Sequence, residues 1–150
     1  MMFMLTGCAT KKTTPKVCSD AHFVLNYDSQ EFTGDLKFYQ DNTLEMCLSS
    51  PDALEGLKVR VNKSEAKVSY KALEKEFSLE NIPQGAVFKM IYDLFVTVKQ
   101  KSEFQFDKKD DYYTTTFESD YGRVKLVTNE DDMIKSITIE KSAFNLELTY

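Results

Sequence analysis

The side chains able to do chemistry are few and scattered. Histidine occurs once, as His22, so a Ser-His-Asp arrangement would have to be built on it. No nucleophile elbow accompanies it, and His22 reads as a strand histidine at a polar edge. One histidine and dispersed cysteines lack the ligand spacing of a zinc site. Asp110-Asp111 and Glu130-Asp131-Asp132 lack the glycine-spaced loop of a calcium site and read as solvated turns. Nothing positive marks a carboxylate pair for glycoside hydrolysis. No catalytic residue, metal site or cofactor is read from this chain, which is taken as non-enzymatic.

Cys8 has a more defined chemistry. Leu5-Thr6-Gly7-Cys8 matches a bacterial lipobox. Small residues before the cysteine let a signal peptidase close on an extended backbone, and the thiol forms a thioether with a diacylglyceryl group. Residues 1–7 then read as the end of a lipoprotein signal peptide. Met1 to Leu5 is shorter than the apolar run of about 7–15 residues that export requires, which implies a start upstream of Met1. Residues 8–16, the lipidated cysteine with ATKKTTPK, read as a tether. No stretch reaches the roughly 20 apolar residues of a spanning helix. The expectation is a protein held by lipid on the extracytoplasmic face of a bacterial cell membrane. Cys18 and Cys47 fall on strand-like segments. They either pair, as an oxidising compartment permits, or serve as small buried thiols.

The 150 residues suit a single core, here residues 17–150. Net charge is −5 with both signs interleaved, which excludes the concentrated basic face that nucleic acid needs. Tyr and Phe are plentiful, at 8 and 11, and Trp is absent.

The longest patterned segment is Pro83 to Lys101. Val87, Phe88, Met90, Ile91, Tyr92, Leu94, Phe95, Val96 and Val98 cover most of its circumference. Lys89, Asp93, Thr97 and Lys101 recur every fourth residue as a narrow polar stripe. Asn81 and Pro83 read as its capped opening. A helix so widely apolar requires a trough rather than a flat sheet. The rest of the chain supplies strands. Alternation predicts them at Val17–Tyr27, Phe32–Gln40, Thr43–Ser49, Leu57–Asn62, Ala66–Lys71 and Glu74–Leu79 before the helix. After it they fall at Glu103–Asp107, Asp111–Ser119, Tyr121–Thr128, Met133–Glu140 and Ala143–Tyr150. Ser50 before Pro51 reads as the cap of a single helical turn that Gly56 ends. So many strands in one antiparallel sheet must twist and curl. The predicted fold is α+β and mostly β, a half-barrel wrapped around one long apolar helix.

This order resembles the LolA/LolB-like fold, the half-barrels of a periplasmic lipoprotein carrier and its outer-membrane receptor. The residues that carry the resemblance are Phe32-x-Gly34-Asp35-Leu36, Pro51-x-x-Leu54-x-Gly56-Leu57, Ile82-Pro83, and the closing hairpins from Gly122 through Ile137 to Tyr150. The resemblance implies binding of an acyl chain or other apolar ligand between sheet and helix. Inward strand positions and the helix supply the candidate lining: Leu36, Phe38, Met46, Phe88, Ile91, Leu94, Phe95, Phe104 and Phe117. The same side chains could instead fill the space at ordinary core density. In that case the protein becomes a structural or interaction lipoprotein that contacts another envelope protein.

Overall fold

The computed structural model describes residues 9–17, 20–101 and 103–150. Cys8 and Cys18 lie outside the described residues, and with them the lipidation site and the Cys18–Cys47 pairing.

The period-two alternation of the N-terminal half folds into a meander of β2 (Ala21–Tyr27), β3 (Gln30–Phe38), β4 (Leu44–Ser50), β5 (Lys58–Val61), β6 (Glu65–Tyr70) and β7 (Leu73–Ser78). One helix follows, α1 (Val87–Gln100). A second meander comprises β8 (Phe104–Lys109), β9 (Tyr112–Ser119), β10 (Gly122–Thr128), β11 (Ile134–Ile139) and β12 (Phe144–Thr149). Antiparallel pairing of β12 with β2 joins the two meanders, with Leu146 opposite Leu25 and Thr149 opposite His22. The turns are tight. Between β2 and β3, Asp28 and Ser29 both have positive φ, 49° and 65°, as a two-residue hairpin that matches strand twist requires.

β1 (Thr10–Thr13) is a departure from the tether read over residues 8–16. It pairs antiparallel with β8 and extends the sheet by one strand. TKKT has no apolar alternation to announce a strand. Its order comes from Asp132, which meets the Lys11 ammonium at 2.6 Å and accepts a hydrogen bond from the Thr13 hydroxyl at 3.0 Å. Lys11 Nζ also sits 3.8 Å from the centre of the Tyr113 ring. Lys16 N–H then donates to the Asp132 carbonyl at 2.8 Å.

The result is one twelve-stranded antiparallel sheet in the order β1, β8, β9, β10, β11, β12, β2, β3, β4, β5, β6, β7. Its two edges, β1 and β7, do not pair with each other, so the sheet stays open. Laid flat it would be about 50 Å wide at the usual strand spacing, against about 10–12 Å for a helix. Yet buried residues from β2 to β6 and from β8 to β12 share a single apolar cluster with α1. The sheet is therefore curled over the helix, as the apolar circumference demands. Met90, Ile91, Tyr92, Leu94, Phe95 and Val98 are its buried residues. Phe95 packs its ring 5.4 Å from that of Phe38 on β3.

Both predicted caps fail, for local reasons. Asn81 belongs to a 3₁₀ turn over Leu79–Asn81. Ile82, ahead of Pro83, is held extended at φ −85°, ψ 129°. Residues 83–86 form a separate turn, Ala86 N–H to Pro83 C=O at 3.0 Å, and the helix starts at Val87 rather than Pro83. Gly85 adds backbone entropy that disfavours an earlier start. Ser50 does not cap the 3₁₀ turn at Asp52–Leu54. It ends β4, and its hydroxyl lies 2.6 Å from that of Thr33 across the sheet.

Candidate functional site

The concave face is unevenly covered. On one side α1 is latched to the β9–β10 hairpin by its polar stripe. Asp93 accepts a bond from Lys89 Nζ at 3.1 Å and one from the Tyr121 hydroxyl in the hairpin turn. Burial and the adjacent Asp93 carboxylate push the Tyr121 phenol well above its ordinary pKa, so it stays a donor. Thr97 bonds back to the Asp93 carbonyl at 2.8 Å. These bonds occupy most of the stripe that faces away from the core.

On the other side nothing closes the gap. β7 is the sheet edge, and all its residues are exposed. Register pairs Tyr70 with Leu73, Val68 with Lys75 and Ala66 with Phe77, placing these residues on the concave side. Opposite them stand Asn81, Ile82, Pro83, Ala86 and Phe88 from the 3₁₀ turn and the opening of α1. Because Pro83 and Gly85 delay the helix to Val87, its first turn stops short of the β6–β7 hairpin. An open trough of about 680 Å³ remains, with an almost wholly apolar lining. Leu73 is 76 % and Phe77 37 % exposed; with Tyr39 and Tyr150 they are the large exposed apolar or aromatic side chains among the described residues. Small-molecule sites typically have this size and lining.

The candidates read from sequence divide between this trough and the core. Phe88 lines the trough. Leu36, Phe38, Met46, Ile91, Leu94, Phe95, Phe104 and Phe117 lie in the packed interior beneath the helix. There Phe104 and Phe117 bring their rings within 5.5 Å. The curled sheet is thus filled at its centre and open at one margin. Val68, Tyr70, Leu73, Phe77 and Ile82 line the margin without having been singled out. Leu73 and Phe77 sit at alternate positions of the last strand before a delayed helix, and Val68 and Tyr70 at alternate positions of the strand before it. Ile82 is in the turn that follows, and the pattern also describes ordinary core positions.

The convex face is polar. Arg60 pairs with Glu45 at 2.8 Å, Tyr39 donates to Glu45 at 2.9 Å, and Lys67 pairs with Glu74. His22 sits exposed against the Asp35 carboxylate on the neighbouring strand. Cys47 is half-buried between Asp35 and Lys58 in the cross-strand register. Among the described residues no group of three or more His, Cys, Asp or Glu side chains could hold a metal ion.

No protein-family model and no curated protein sequence matches the chain. A solved structure does. It is the crystal structure of the LolA superfamily protein NE2245 from Nitrosomonas europaea, with a TM-score of 0.40 and 11 % identity, over 88 % of this chain and 69 % of that one. The resemblance read from the sequence names the same superfamily.

Proposed function

We propose that the protein binds an acyl chain or another apolar ligand in the trough between β6–β7 and the start of α1, without catalysing a reaction. The observation that carries this reading is an apolar concavity of about 680 Å³ whose walls include the exposed Leu73 and Phe77. Covering a large apolar side chain is worth roughly 1.5–3 kcal/mol, so an unfilled apolar trough is a standing incentive to bind something apolar. Lipidation at Cys8 would hold the protein on the extracytoplasmic face of the membrane. Ala9 alone would then separate the anchor from β1. The anchor would join the β1 edge, at the other end of the sheet order from the edge that bears the trough. A partner envelope protein on the convex face has less to grip, since that face is a ladder of mutually neutralised charges.

The test uses the full chain and its Cys8→Ser variant, purified and extracted with organic solvent for mass spectrometry. Stoichiometric acyl lipid that can be extracted from the Cys8→Ser protein, and is lost on Phe77→Asp, is the expected result. A stable, ligand-free protein that also fails to take up added acyl chains overturns the reading. The anchor is read from the same preparations. Wild type partitions with membranes and Cys8→Ser does not; equal partitioning overturns the lipidation.

A further inference from the structure

Lys75 and Glu74 both border the trough, and only the Glu74 charge is paired, to Lys67. Lys75 shares the concave side of β7 with Leu73 and Phe77, and its ammonium lies 5.2 Å from the centre of the Phe77 ring. Lys71, at positive φ in the β6–β7 turn, places its ammonium 5.1 Å from the centre of the Tyr70 ring. Both rings line the trough. Among the described residues neither lysine is in an ion pair.

The nearby acids are held by another cation. Glu74 also borders the trough, but its carboxylate pairs with Lys67, and Glu76 lies 4.0 Å from the same ammonium. Glu80, in the 3₁₀ turn, is not part of the lining. An apolar floor with unpaired cations at its mouth is complementary to a molecule with an apolar chain and an anionic head.

The head can be narrowed. Phosphate is best held by a guanidinium fork or a cradle of backbone N–H groups. Arg60 and Arg123, the chain's arginines, do not line the trough. The mouth offers two flexible ammonium groups beside solvent, which suit a single charge. We infer that the ligand is a single-chain carboxylate amphiphile, a free fatty acid, whose head lies between Lys71 and Lys75 and whose chain runs toward Ile82 and Phe88. This inference rests on the reading of the trough as an apolar-ligand site.

The test separates the two. Displacement of a fluorescent apolar probe from the Cys8→Ser protein is measured at pH 8, below the aggregation point of each competitor. The competitors share a dodecyl chain: laurate, 1-dodecanol, dodecyltrimethylammonium and dodecyl phosphate. Laurate should bind about three- to tenfold more tightly than dodecanol, with the gap closing in high salt, as exposed charge pairs behave. Lys75→Glu should abolish or reverse that preference in favour of the ammonium, and Lys71→Glu should do so more weakly. Both positions are exposed, so melting curves should be unchanged. Equal binding of laurate and dodecanol, or a preference that survives both substitutions, overturns the carboxylate inference while leaving the trough reading intact. Dodecyl phosphate binding well ahead of laurate overturns the choice of head group. Failure of every dodecyl compound to displace the probe overturns both readings.

Discussion

Gly34 leaves no room for a side chain. A Cβ built there would stand 2.0 Å from the carbonyl oxygen of Cys47 on β4, beside the register shift between Thr33 and Gly34. The obstacle is backbone, so it cannot swing aside. Gly34→Ala should cost about 1–3 kcal/mol or more, seen as a lower urea midpoint; an unchanged midpoint would show that the strands can part freely at this bulge. Asp132 carries a prediction of a different kind. Burial pushes its carboxyl up, but bonds from Lys11 and Thr13, with the charges of Lys11 and Lys16, together hold it below its ordinary value. A depressed carboxylate stabilises the fold fully above the ordinary carboxylate range, and that contribution drains as pH falls through the depressed value. The stability gap between wild type and Asp132→Asn should therefore be widest near neutrality and shrink below about pH 4. Amide exchange in β1 should show the loss first. A gap that widens in acid would contradict the assignment.

At the scale of the element, the helix is the piece on which the sheet depends. Phe95 is fully buried at 0 % exposure and meets Phe38 across the core. Phe95→Asp would bury a carboxylate without a partner, costing several kcal/mol, a large part of a domain's stability of about 5–15 kcal/mol. The variant is expected to lose its cooperative melt and near-ultraviolet dichroism; a soluble variant with a sharp transition would refute the wrapped-helix core. The elements also show what could be read in advance. Most of strands β2 to β12 were legible from apolar residues at alternate positions, as in Phe144, Leu146 and Leu148. β1 was not, because Thr10–Thr13 gains its order from Asp132, more than a hundred residues away. The trough escaped for a related reason. Leu73 and Phe77 have the pattern of core residues, and only the late start of α1 leaves them uncovered. Local pattern records which face a side chain takes. It does not record what another element fails to reach.

At the scale of the whole molecule, the order of the strands carries a consequence for connectivity. β12 lies beside β2, and Thr149 stands opposite His22, so the chain's end returns to the start of the main meander. From β2 through β7, across α1, and from β8 through β12, the path is a loop whose ends meet at the sheet's interior. Where that loop is cut has little physical meaning. A circular permutant that joins Tyr150 to Asp20 by a short linker and opens between Lys63 and Ser64, an exposed turn, should recover the same far-ultraviolet spectrum and a cooperative melt. It lacks β1, so its reference is the unpermuted chain beginning at Asp20. If that reference folds and the permutant does not, the β2–β12 seam depends on the order of synthesis. If both fold alike, the molecule is a ring of hairpins strapped by one helix, indifferent to where the ring is opened.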